Sequence, residues 1–156
     1  MLISILGDSI STYEGYTPSK GVFFDRYNSF ETGLSSVEDT WWMQVIRAMD
    51  GELGVNHSLS GCTVTGGGLS AGTSQERILA LGKKGDPDVI LLFIGSNDWA
   101  FGAAPESFEQ AYGLMLDRIR TAYPKAEVWC GTIPRGTIVD PAERFFFNMD
   151  GLVSAR

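Results

Sequence analysis

The sequence predicts a three-layer α/β/α fold around a parallel, doubly wound sheet, and two observations carry that expectation. Two short, nearly continuous apolar runs, residues 2–6 (LISIL) and 88–94 (DVILLFI), each end in glycine, at Gly7 and Gly95. Such runs suit strands covered on both faces, as parallel strands are. Between the strand candidates lie segments with the helical apolar period, so the order reads β, loop, α, β, α, β, α, β. Right-handed crossovers through that order place helices on both faces, the flavodoxin-like arrangement.

Taken in order, strand one (2–6) has no basic residue before it and is too short for the apolar core of a secretory signal. Strand three (88–94) is opened by Pro87. Strands two (52–56) and four (126–132, with Glu-Val-Trp-Cys-Gly) are weaker. The apolar character of strands one and three makes them the central pair in an expected order 2-1-3-4. In the first helix, 37–49, Trp42, Val45, Ile46 and Met49 share one stripe. Ser36 is its expected cap, with Asp39 three residues on and Gly51 past the end. The second, 74–81, turns Ile78 and Leu81 inward. The third, 105–122, aligns Phe108, Tyr112, Met115 and Ile119, with Pro105 in its first turn and Pro124 beyond its end.

The connection from Ser9 to Ser36 far exceeds the usual βα loop of about 2–6 residues. It carries Tyr13, Tyr16, Phe23, Phe24, Tyr27 and Phe30. Two readings stand side by side: a packed flap over a site, or a satellite core beneath a long loop.

Composition narrows the function. A chain of 156 residues is one domain's worth, and 44% hydrophobic with 20% charged residues excludes a disordered tail or a coiled coil. No apolar run approaches the roughly 20 residues of a membrane helix, so no membrane partner is expected. Twelve Lys and Arg against 19 Asp and Glu leave a net charge of −7, which repels a phosphate backbone. The one basic cluster is Lys83-Lys84, so no nucleic-acid partner is expected. Two cysteines and one histidine argue against a disulfide framework or a zinc site, and no metal or cofactor is called for. Strands one and three separate Cys62 from Cys130 by about 14 Å at ~4.8 Å per step, beyond the ~7 Å disulfide limit. The expectation is an acidic, cytoplasmic domain acting on a small molecule; the sequence does not specify an oligomeric state.

In such a sheet, ligands bind beyond the carboxyl ends of the strands. Those ends read Gly7-Asp8-Ser9-Ile10-Ser11, then Asn56 to Gly61, then Gly95-Ser96-Asn97-Asp98. A serine at such a tip can act as a nucleophile, and backbone N–H groups with an Asn amide can stabilise an oxyanion. Taken singly, each motif is more often a turn or a helix cap. Asp8 points away from Ser9 on an extended backbone and is expected to hold its turn by accepting from backbone N–H groups. Asp98 is expected to cap the loop after strand three. Gly66-Gly67-Gly68 lacks the Lys-Ser/Thr ending of a phosphate loop and reads as a connection. Trp99 and Phe101 either wall a pocket or pack. No carboxylate lies close in sequence to His57, which reads as a packed or loop-stabilising residue rather than a base.

The conjunction of the three blocks resembles the SGNH (GDSL-type) serine hydrolase family. Gly7-Asp8-Ser9-Ile10 looks like the first block, Asn56-His57-Ser58-Leu59-Ser60-Gly61 the second and Gly95-Ser96-Asn97-Asp98 the third. Thr40-Trp41-Trp42 is similar to a branch of that family. The resemblance implies the SGNH hydrolase fold, Ser9 as nucleophile, and an oxyanion hole from the Ser9 and Gly61 N–H groups and the Asn97 amide. It implies cleavage of a small carboxylic ester through an acyl-enzyme, with O-acetyl groups on carbohydrate as a candidate substrate. The family's fourth block, Asp-x-x-His, does not occur here. A family member would continue through a helix, a fifth strand and a His-bearing loop, so the expectation is a truncated chain without its base. Two rival classes remain: a non-catalytic small-molecule or carbohydrate-binding module, and an FMN protein with Ser9, Ser11 and Thr12 around a phosphate.

Overall fold

The computed structural model describes residues 1–18, 22–25 and 32–132. Four strands, β1 (Leu2–Gly7), β2 (Glu52–Asn56), β3 (Val89–Phe93) and β4 (Glu127–Cys130), form one parallel sheet in the order β2-β1-β3-β4. The helices are α1 (Trp41–Ala48), α2 (Gln75–Ala80), α3 (Ser96–Ala100) and α4 (Pro105–Ala122). The order is the expected one, with β1 and β3 in the middle.

Strand alternation divides the interior in two. Ile3, Ile5, Val89 and Leu91 pack with Trp42 and Ile46 of α1. Leu6, Ile90 and Leu92 pack on the opposite face with Ile78, Leu81, Met115 and Ile119 around α2 and α4. This is the three-layer α/β/α arrangement. Ser4 interrupts the apolar run and is fully buried. Its hydroxyl donates to the Leu81 carbonyl at 2.8 Å and accepts from the Val55 N–H at 3.0 Å, where the β1–β2 register shifts. The polar atom is thereby satisfied on both counts.

The first helix departs from expectation. Residues 37–39 form a separate 3-10 turn, and α1 begins at Trp41. Asp39 Oδ2 accepts from the Ser36 N–H at 2.9 Å, so the foreseen cap closes the turn rather than the helix. Thr40 breaks the two apart: its hydroxyl donates to the Val37 carbonyl and accepts from the Met43 N–H. A Thr oxygen that serves both ends makes a continuous helix unnecessary. Ser74 caps α2 through the Arg77 N–H, and α4 has the expected bounds. The five-residue α3 was not anticipated.

The described part of the aromatic connection is a satellite core. Tyr13 stands edge-on to Tyr16 and Tyr16 leans on Trp42, both with centroids 6.1 Å apart, while Phe24 packs against the α1-side core. The Glu14 N–H donates to the Phe24 carbonyl at 3.0 Å, tying the loop to itself. Tyr27 and Phe30 lie outside the described residues, as does the segment after Thr132 in which a further helix was expected to begin. No helix among the described residues is long and apolar enough to cross a membrane.

Two expectations test this architecture. Met115 is buried and Leu114 exposed on the same helix. Met115→Ala should cost about 2–5 kcal/mol in urea denaturation and Leu114→Ala less than about 0.5; equal costs would contradict the assigned face of α4. Both Cys62 and Cys130 are free thiols. Two thiols per chain should therefore titrate under denaturing, non-reducing conditions, and none would refute the strand order.

Candidate active site

Parallel pairing sets Gly7 level with Phe93, so the turns that follow β1 and β3 emerge side by side. The Asp8 N–H donates to the Phe93 carbonyl at 3.3 Å, carrying the ladder one step past the strands. After it the chain folds into a 3-10 turn, Ser9–Ser11, capped by Asp8 Oδ1 accepting from the Ile10 N–H at 3.1 Å. The expected role of Asp8 is met, and a second appears: Ser96 Oγ donates to Asp8 Oδ2. Asp8 is 1% exposed, and its burial pushes the carboxyl above the ordinary range. Ser9 itself is partly exposed at the first position of the turn.

The segment after β2 is bound to both turns. The Gly7 carbonyl accepts from the Leu59 N–H and from Cys62 Sγ, each at 3.2 Å. Asn97 Nδ2 donates to the Cys62 carbonyl at 2.8 Å, one residue past Gly61. Gly61 sits at φ +71°, a conformation that favours glycine. Ser9, Gly61 and Asn97 thus stand on three segments joined pairwise by hydrogen bonds at the carboxyl edge of the sheet. Among the described residues nothing accepts from the Ser9 or Gly61 N–H groups.

Asp98 differs from expectation. It does not cap its own loop; it reaches across to the β2 connection. Its buried carboxylate accepts from the Val64 and Thr65 N–H groups at 2.8 Å each and from Thr65 Oγ1 at 2.7 Å. Trp99 and Phe101, just beyond, are 48% and 71% exposed, so they do not pack into the core. No three His, Cys, Asp or Glu side chains gather as a metal site among the described residues.

His57 meets an arginine. Its Nδ1 accepts from Arg77 Nε at 3.4 Å, and its carbonyl accepts from an Arg77 terminal N–H at 2.7 Å. Burial, and then the Arg77 charge, hold the imidazole below its usual range. Arg77 gave no signal in the sequence: it lies inside the α2 pattern and looks like an ordinary exposed helical residue.

Comparison with known proteins follows this geometry. The chain is 33% identical to a GDSL-like lipase from Bacteroides ovatus, with TM-score 0.65 over 83% of this chain and 70% of that one. A GDSL-like lipase from Bacteroides uniformis is 28% identical, with TM-score 0.64 over 83% of this chain and 69% of that one. A carbohydrate esterase family 3 protein from Talaromyces cellulolyticus shares the fold at 18% identity and TM-score 0.54, over 90% of this chain and 65% of that one. None of the curated proteins compared with the chain matches it. A family model, GDSL-like lipase/acylhydrolase, matches residues 1–133. With that match across most of its length, and with solved relatives of the same description, the chain belongs to the GDSL-like lipase/acylhydrolase family.

Proposed function

We propose that the protein hydrolyses small carboxylic esters through an acyl-enzyme on Ser9. The observation that supports this reading is that the segments carrying Ser9, Gly61 and Asn97 are hydrogen-bonded to one another at one edge of the sheet. The Ser9 and Gly61 N–H groups have no acceptor among the described residues, and the Asn97 amide spends one of its two N–H bonds on Cys62. Ser9 Oγ adds to the ester carbonyl carbon as its proton passes to a base. The carbonyl oxygen becomes an oxyanion, which the two N–H groups and the second Asn97 N–H stabilise. Collapse breaks the C–O bond, the alcohol leaves with the proton, and Ser9 is left acylated. Water then repeats the sequence and releases the acid.

The base belongs, by family resemblance, to an Asp-x-x-His block that these 156 residues do not contain. His57 is unsuited to the task. A triad histidine donates its Nδ1–H to a carboxylate, whereas Nδ1 of His57 accepts from a guanidinium. A second reading, a non-catalytic binding module of the same fold, is motivated by the lack of an Asp-x-x-His block in these 156 residues. For the alcohol side, exposed Trp99 and Phe101 beside Asn97 supply ring faces suited to a sugar, and a carbohydrate esterase shares the fold. An O-acetylated carbohydrate is the substrate we propose.

The test is hydrolysis of a short-chain aryl ester by this chain and by one completed with an Asp-x-x-His segment. In the completed chain Ser9→Ala should abolish turnover and Asn97→Ala should lower kcat by about 10²–10³. His57→Ala should change it little. The 156-residue form should retain a residual rate alone. Full activity there that disappears with His57→Ala would make His57 the base, and turnover indifferent to Ser9 in both would remove the hydrolase reading.

A further expectation concerns Asp8, which links the Ser9 turn to that of Asn97. Its carboxyl lies above the ordinary value of 3.8 because it is buried. From 3.8 up to the raised value the native state keeps a proton that the unfolded chain has released, so stability falls as pH rises. Asp8→Asn keeps an acceptor for the Ile10 N–H and removes this dependence. Relative to wild type the variant should gain urea resistance between pH 3.5 and pH 7; an unchanged difference would count against a buried carboxyl.

A further inference from the structure

We infer that Arg77 is a positioning residue of this site: its guanidinium pins the ends of β1 and β2 and the turn before α2 to one point, and so sets the gap between Ser9 and Gly61. The inference rests on reading those two residues as the reacting centre.

Arg77 is 1% exposed. One terminal nitrogen donates to the Gly7 carbonyl at 3.2 Å and the His57 carbonyl at 2.7 Å; the other donates to the Ser70 carbonyl at 2.8 Å, and Nε to His57 Nδ1 at 3.4 Å. Every one of these acceptors is neutral. The ion pair found among the described residues, Arg47 with Glu38, lies at the surface elsewhere. Burying a cation without a counter-ion is costly unless acceptors already stand in place. An apolar side chain at position 77 would cover the same face of α2 without that cost, so packing alone does not account for an arginine.

What the guanidinium adds is geometry. Its nitrogens are coplanar and point in fixed directions, so three backbone carbonyls bound to it hold fixed relative positions. Those carbonyls belong to Gly7, two residues before Ser9, to His57, four before Gly61, and to Ser70. Asn56, at the end of β2, also reaches the Ser9 turn, donating to the Ser11 carbonyl at 2.8 Å; Arg77 differs in gathering three backbone carbonyls at one rigid group. The charge also reaches the second block: it opposes the upward shift that burial imposes on Cys62, the residue that follows Gly61. A cation so placed favours a negative oxygen over a neutral one at this edge.

The test compares Arg77→Lys and Arg77→Met with wild type. Lysine keeps the charge and loses the fork, whereas methionine keeps the bulk and loses both. Amide hydrogen exchange is read on the folded full chain. Kinetics are read on whichever form shows Ser9-dependent hydrolysis of p-nitrophenyl acetate. Exchange at Leu59 and Cys62 should quicken by at least about tenfold in both variants, with Ile5 and Leu91 unchanged. The kcat should fall about 10–100-fold with KM within about twofold, the loss expected from a displaced reacting group. Unchanged exchange and kcat in either variant overturns the inference, as does a loss of protection spread evenly over β1 and β3. If Arg77→Met does not fold, Arg77→Lys and Arg77→Gln decide by the same readings. Failure of all three to fold makes Arg77 a residue of global stability and overturns the local assignment. Exchange requires no turnover, so an inert Ser9 would sink the hydrolase reading and leave the pin to be judged separately.

Discussion

At the end of β1 the carbonyl of Gly7 accepts from a backbone N–H, a thiol and a guanidinium, from Leu59, Cys62 and Arg77. The residue behind it has no room to spare. A Cβ at Gly7 would stand 2.6 Å from Ser11 Oγ and 2.8 Å from Ser58 Oγ. Any side chain there would drive apart the turn that carries Ser9 and the segment that leads to Gly61. The close approach of these two segments is thus a steric condition, and the hydrogen bonds hold what the missing side chain permits. The Asp8–Ser96 and Asn97–Cys62 contacts close the same ring from the β3 side.

The two interiors contribute unequally to this arrangement. The α2–α4 side supplies Arg77 and the helix that holds it, so the polar edge is braced chiefly from that face. From the α1 side Trp41 reaches the edge, its Nε1 donating to Ser11 Oγ at 3.2 Å and its ring lying on Phe93 at 5.4 Å. The aromatic connection adds to the α1-side core and touches the edge through Thr12, whose hydroxyl donates to the Ser9 carbonyl and accepts from the Phe23 N–H.

Much of the fold was legible in the sequence, and the misses have physical causes. Strands one and three announce themselves because burial on both faces leaves a run of apolar residues, and α4 because eighteen residues give the period room to repeat. The three blocks were read through their order and conjunction, which resemble those of a known family, since each alone is a common turn or cap. Thr40 was missed as a break because its effect depends on which carbonyl its hydroxyl finds. The helix at Ser96–Ala100 is too short for any period to show. Arg77 was missed and Asp98 misread for a further reason. Their partners lie 34 to 70 residues away for the bonds that matter most, to Val64 and to Gly7, and no local pattern encodes such a bond.

The separation of the central strands along the chain has a consequence for biosynthesis. The Leu2 N–H pairs with Asp88, 86 residues downstream, and β3 follows at once. At a translation rate of roughly 5–20 residues per second, β1 leaves the ribosome about 4–17 s before its central partner is made. Throughout that interval LISIL is an apolar strand whose only available neighbour is the short, irregularly registered β2. Until then this apolar segment lacks its central partner and stays available to chaperones and to other chains, and native order at the carboxyl edge of the sheet must wait for the third strand to arrive.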